Sequence, residues 1–92
     1  MPDPTPRLEA RIRRDFPEPG SASAVLDELR RLDADERVMT GVVLATSGSP
    51  GRLHEALASA RLDWRDLLVA TGLAHADWPQ RLDAELGPPS TR

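Results

Sequence analysis

The two histidines, His54 and His75, are the first candidates for metal binding or catalysis. A zinc site on a helix needs a second ligand four residues away, and the residues at those distances from His54 are Pro50 and Ala58. His75 has only Asp77 close to it in sequence, and the chain contains no cysteine. The sequence therefore predicts no metal site and no cysteine nucleophile.

A glycine- and serine-rich stretch at residues 46–52, TSGSPGR, has some features of a phosphate-binding loop. Helix N-termini bind anions, and Arg52 would assist such binding. However, the stretch lacks the Gly-Lys-Ser/Thr ending of a P-loop and also lacks the Gly-x-Ser-x-Gly nucleophile elbow. We interpret it as a turn between two helices, with a ligand loop as the alternative, and we expect no cofactor.

Carboxylates are numerous, but most of them lie where a helix is predicted to begin. There a carboxylate accepts hydrogen bonds from free backbone amides and interacts favourably with the helix dipole. Catalytic carboxylates instead need a cleft that shifts their pKa values, so we predict that the protein is not an enzyme. The carboxylates at predicted helix starts are Asp33, Asp35, Glu36, Asp63, Asp66 and Asp77.

The arginines of the N-terminal segment form the main basic patch, because Arg7, Arg11 and Arg14 share one helical face. Such a face is a candidate for contact with nucleic acid or with an acidic partner. Glu9 and Asp15 reduce its positive charge, and the net charge of the chain is −3. We interpret the patch as a solvated face and keep weak nucleic-acid binding as the alternative.

Trp64 and Trp78 are the best candidates for binding a protein partner, since tryptophan is enriched at interface hot spots. Arg65 and Arg81 lie next to them in sequence or on the following turn. The only other aromatic residue is Phe16, so the tryptophans are also the side chains best suited to fill large gaps in the core. We predict that both are core residues, with exposed anchors as the alternative.

Composition limits the class of protein. A chain of 92 residues forms one small domain, and 29% of the residues are charged. No segment approaches the ~20 apolar residues of a membrane span, and the first residues lack the features of a signal peptide. We expect a cytoplasmic protein that does not bind membranes.

Apolar residues recur at helical spacing, and alternating strand patterns are missing. Thr5-Pro6 predicts one helix start, Ser21 or Ser23 a second, and Asp33 with Glu36 a third. The fold class is all-α, a small irregular or orthogonal bundle of five to six short helices. The domain covers residues 5–87, between a flexible N-terminus at 1–4 and a flexible tail at 88–92.

The most conspicuous segment is residues 61–72, RLDWRDLLVATG, which carries a start signal at Asp63 and a stop at Gly72. Spacing predicts that Trp64, Leu67 and Leu68 form its buried face. Together with Glu36-Arg37-Val38 and Val42-Val43-Leu44, this segment resembles a group of short, uncharacterised, all-helical bacterial proteins that share an Asp-Trp-Arg-Asp-Leu-Leu-type segment. The resemblance implies a helical fold and no functional site.

We therefore predict a non-enzymatic protein–protein interaction module without cofactor or metal. Its partner would be protein, either another chain or a second copy in a homodimer, and the candidate contact residues are Trp64, Arg65, Trp78, Arg7, Arg11 and Arg14. The alternatives are a weak nucleic-acid binder that uses the N-terminal arginine face and, third, a small ligand-binding protein or enzyme.

Overall fold

The computed structural model describes residues 4–87, and within that range the protein is an all-α bundle of five helices without a strand. The predicted fold class is confirmed. The segments predicted to be flexible, 88–92 and all of 1–4 except Pro4, lie outside the described residues. The helices are α1 (Pro6–Asp15), α2 (Pro19–Leu32), α3 (Glu36–Thr46), α4 (Pro50–Thr71) and α5 (Trp78–Leu86).

The helices α1 and α3 each begin with a side-chain cap, formed by a residue type that is favoured at the N-cap position. The Thr5 hydroxyl accepts a hydrogen bond from the Leu8 amide, and Pro6 occupies the first turn of α1. Asp35 Oδ1 accepts from the Val38 amide at 3.0 Å and begins α3. Both caps satisfy backbone amides that have no partner within the helix.

Two predicted helix starts are wrong: α2 begins three to five residues earlier than predicted, and α3 begins two residues later. The second helix begins at Pro19 rather than after Ser21 or Ser23, because proline is well suited to the first turn of a helix. Asp33 does not begin α3; it ends α2 in the left-handed conformation, with φ of 55°. Aspartate tolerates that conformation better than most residues do.

Helix α4 contains a break at Asp63, whose backbone is extended with φ of −155° and ψ of 91°. The helix predicted to begin at Asp63 is therefore joined end to end to the helix before it in one kinked element. The most extensive helix–helix contact is between α3 and α4, and α3 also contacts α1 and α5.

The core is aliphatic. One cluster joins α1 and α2 to α3 and α4, and a smaller one formed by Leu68, Leu73 and Leu82 attaches α5. Gly41 of α3 permits a close approach to α4, because a Cβ atom there would lie 3.3 Å from Leu67 Cδ2. Six residues of α3 are buried: Met39, Thr40, Gly41, Val42, Val43 and Thr46.

No helix within residues 4–87 has both the length and the apolar composition that crossing a membrane requires.

Candidate interaction surface

The break at Asp63 positions the candidate surface. Asp63 Oδ1 accepts hydrogen bonds from the backbone amides of Arg65 at 3.1 Å and Asp66 at 3.4 Å. These bonds restart the helix after the extended residue, so the predicted cap is confirmed. Because Asp63 is not helical, the helical periodicity of the first half of α4 does not continue past it. The directions in which the following side chains point therefore cannot be extrapolated from the first half.

Trp64 follows this break, and its side chain is 46% exposed. The prediction that it belongs to the core is wrong, although Leu67 and Leu68 of the same segment are buried as expected. Those two leucines occupy the space over Gly41 of α3, and the indole is left at the edge of the packed region. The Arg65 guanidinium carbon lies 5.3 Å from the Trp64 ring centroid, within cation–π range.

A groove of about 380 Å³ runs beside Trp64, between the loop joining α2 to α3 and the middle of α4. We call it the Trp64 groove. Its apolar lining comes from Leu32, Ala34, Val38, Ala60 and Trp64 itself. Half-buried apolar walls next to an exposed indole are typical of sites that bind side chains of another molecule.

Charges of opposite sign line the two walls of the Trp64 groove. Asp33 and Asp35 lie on the loop side, and Arg61 lies on the α4 side. Among residues 4–87, the side chains of Asp33, Arg61 and Arg65 form no ion pair and donate or accept no side-chain hydrogen bond. These charges are therefore available to an external partner.

A larger groove, of about 590 Å³, lies elsewhere on α4 and is lined mainly by small and charged side chains, including Ala45, Ala56, Arg52, Glu55 and Asp66. It contains no aromatic residue. Since aromatic side chains contribute most to the affinity of protein interfaces, the smaller Trp64 groove is the better candidate despite its volume.

Trp78 differs from Trp64, because it is half-buried at the start of α5 and packs against the smaller core cluster. The Arg37 guanidinium carbon of α3 lies 4.6 Å from the Trp78 ring centroid, and Arg37 Nε donates to the Leu73 carbonyl at 2.8 Å. Trp78 thus connects α5 to α3, which is largely the core role predicted for it. Arg81 lies near Gly72, not beside an exposed indole.

The N-terminal arginine face is mostly not solvated, contrary to the prediction. Arg7 Nη2 pairs with Glu36 Oε1 at 2.6 Å and Arg7 Nη1 with Asp83 Oδ1 at 2.6 Å, while only 11% of the Arg7 side chain is exposed. Its Nη1 also donates to the Gly87 carbonyl at 3.0 Å, and Thr5 donates its hydroxyl proton to Glu36. Arg7 therefore joins α1 to α3 and α5.

Hydrogen bonds in this network shift two pKa values. The bond from Arg7 lowers the pKa of Glu36 despite the opposing effect of burial, and the bond with Glu36 raises the pKa of Arg7. Ionisation of both groups is favoured by their contact.

Arg11 makes a second connection of the same kind. It binds Asp15 on its own helix at 3.0 Å, and its Nη1 donates to the Glu85 carbonyl of α5 at 2.7 Å. Burial alone would lower the pKa of Arg11, but its bonds to Glu85 and Asp15 raise it. Arg14 is the member of the face that remains mainly in solvent, 4.0 Å from the Asp15 carboxylate.

The remaining sequence candidates are not brought together. His54 and His75 are both exposed on different parts of the chain, and no group of three potential metal ligands occurs within the described range. In residues 46–52, Gly48 has a φ of 73° and packs against the end of α1, with 3.2 Å between a hypothetical Cβ and the Asp15 carbonyl oxygen. This arrangement is that of a helix-connecting turn.

Sequence reasoning missed three members of the candidate surface, Asp33, Asp35 and Arg61, as binding residues. The two aspartates were assigned to helix capping, and only Asp35 performs that role. No local signal distinguishes Arg61 from the other arginines, since its position depends on how α4 lies against the α2–α3 loop.

No protein-family model matches the sequence, and neither a curated protein nor a solved structure matches it. The resemblance to short helical bacterial proteins stays a prediction.

Proposed function

We propose that the protein is a non-enzymatic protein–protein interaction module and that its contact surface is centred on Trp64. The observation that carries this proposal is the exposure of the Trp64 indole next to an apolar groove. Tryptophan surrounded by charged residues at a rim matches the anatomy of interface hot spots. The exposed side chains of the neighbouring Arg61 and Arg65 add positive charges that form no ion pair among residues 4–87.

Nucleic-acid binding through the N-terminal arginines has less support. Arg7 and Arg11 direct their guanidinium groups to carboxylates of the same chain, which leaves Arg14 as the exposed member of the face. Phosphate binding would have to break those internal pairs. Ligand binding in a deep polar pocket, the third possibility, has no comparable supporting feature in residues 4–87.

Site-specific photocrosslinking in living cells tests the proposal. A photoreactive amino acid at position 65 should give a crosslinked product of defined mass, whether the second molecule is another protein or the same one. The product should disappear when Trp64→Ala is added, and a probe at the Val69 position, which is also exposed, should not give it. If position 65 gives no product, or one that does not depend on Trp64, the proposal fails.

A further inference from the structure

We propose that the Trp64 groove binds a second copy of this chain, forming a dimer with two-fold symmetry. This inference rests on the proposed function and names the partner. The choice of partner is based on the charges and apolar side chains of the groove walls, and the volume of the groove plays no part in it.

A two-fold interface brings the same patch of two molecules together, so residue i of one copy faces residue j of the other, and the reverse contact is also made. In the Trp64 groove, Asp33 lies on the α2–α3 wall and Arg61 on the α4 wall. A two-fold axis that lies in the interface plane and runs along the groove places the α4 wall of one copy against the α2–α3 wall of the other. Arg61 then faces Asp33 of the partner subunit, and the contact occurs twice.

The same axis brings the apolar side chains to the centre. Trp64 of each copy approaches the axis together with the Leu32 and Val38 side chains that line its groove. An apolar centre with charged residues around it is the usual distribution in stable interfaces. Because Asp33 and Arg61 have no ion pair within residues 4–87, the contacts between copies would break none inside them.

The mixed charge of the groove also argues against a partner of a single sign. A polyanion such as nucleic acid would be attracted by Arg61 and repelled by Asp33 and Asp35. A strongly basic peptide would be attracted by the two aspartates and repelled by Arg61. A second copy presents both signs in the complementary arrangement. In a dimer, the charges on both walls of the groove are therefore paired with opposite charges of the other copy.

Sedimentation equilibrium of the full chain from micromolar to millimolar concentration is the first test. The wild-type protein should show a reversible monomer–dimer equilibrium. Trp64→Ala should raise the dimer Kd by at least about thirtyfold, the loss typical of a hot-spot residue. Val69→Ala is the matched control, since Val69 is exposed on α4 but does not line the groove, and it should leave the Kd unchanged.

Charge reversal then tests the two-fold pairing. Asp33→Arg and Arg61→Asp should each raise the homodimer Kd by at least about tenfold, because each places like charges opposite one another twice. Mixing the two variants should restore dimers at wild-type affinity, since both contacts between them pair opposite charges. Arg52→Asp makes the same change of charge in the other groove and should have no effect on the Kd.

Asp33 has a positive φ, so Asp33→Asn is the second variant at this position: it tolerates that conformation and removes only the charge. It should weaken the dimer less than Asp33→Arg does. Circular dichroism of every variant checks that the helices remain.

Three results would overturn the dimer: a wild-type chain that is monomeric throughout, a dimer that ignores Trp64→Ala, or variants that do not pair on mixing. If the chain is monomeric but position 65 crosslinks to a different protein in a Trp64-dependent manner, the dimer is wrong and the interaction module stands. If crosslinking also fails, both proposals are wrong.

Discussion

The arginines of α1 and those near the break in α4 are the same residue type in opposite electrostatic settings. Arg7 and Arg11 contact carboxylates on other helices and have little exposure, whereas Arg61 and Arg65 are exposed and have no carboxylate partner within residues 4–87. The difference shows that local sequence does not decide whether an arginine holds a fold together. The packing of distant helices decides it, by bringing acids to one arginine and none to another.

The two settings also differ in the energy at stake. A guanidinium that makes several charge-assisted hydrogen bonds in a half-buried site contributes more than an exposed ion pair, which is typically worth about 0–1 kcal/mol. Arg7 satisfies Glu36, Asp83 and a backbone carbonyl at the same time. We therefore expect substitutions at α1 to affect stability and substitutions near Trp64 to affect binding.

The largest effect should come from Arg7→Ala, which we expect to lower the free energy of unfolding by about 2–3 kcal/mol because Glu36 loses its partner. Arg61→Ala is the matched control and should change that free energy by less than about 0.5 kcal/mol. Urea denaturation of both variants measures the difference. Equal losses would remove the distinction between the two regions.

The two tryptophans should differ in the same way, with Trp78 affecting stability and Trp64 having little effect on it. Trp78→Ala should lower the free energy of unfolding by about 2 kcal/mol, less than the 3–5 kcal/mol of a fully buried aromatic, because Trp78 is only half-buried. Trp64→Ala should cost less than about 1 kcal/mol, since its ring lies at the surface. Thermal unfolding compares them at low protein concentration, where dimers do not contribute. If Trp64→Ala lowered the free energy of unfolding more than Trp78→Ala does, Trp64 would be a core residue after all.

The cap at Asp63 should have a smaller effect. Asp63→Ala removes the acceptor of the Arg65 and Asp66 amides and should lower the free energy of unfolding by about 1 kcal/mol. Asp63→Asn keeps an acceptor oxygen at the same place and should retain most of the stability. Chemical denaturation of the pair separates capping from the loss of a charge, and identical losses would exclude the capping role.

The smallest effect should be a pH dependence from Glu36, whose pKa is lower in the folded protein than its ordinary value of 4.5. The unfolded chain therefore binds a proton at a higher pH than the folded chain does, so acid favours unfolding. The contribution of Glu36 is fully present above pH 4.5 and is lost as the pH falls through the folded value. Glu36→Gln should flatten this part of the stability–pH curve, and an unchanged slope would contradict the assignment.

Much of the fold could be predicted because the helix boundaries are marked locally. Thr5-Pro6 and the acids before α3 indicate starts, and Gly72 has the left-handed conformation expected at a helix end. Helical spacing also placed Leu67 and Leu68 in the core. These signals depend on residues within one or two turns of each other.

The face occupied by Trp64 was not predictable in this way. Helical spacing assigns faces only while the backbone stays helical, and Asp63 interrupts it with an extended conformation. The residues on either side of the break therefore do not share one periodic pattern. The partners of Arg7 could not be predicted from local sequence either, since Glu36 and Asp83 are 29 and 76 positions away in the chain.

The Arg7 contacts also carry a consequence for the order of folding. Arg7 bonds to Asp83 and Gly87, 76 and 80 positions along the chain, and Arg11 reaches Glu85 across 74 positions. Closing such long loops is opposed by more chain entropy than the neighbouring contacts of α3 with α4. We infer that α5 docks last during folding, after the larger cluster of α1 to α4 has formed. Native-state hydrogen exchange should accordingly show α5 opening before α3.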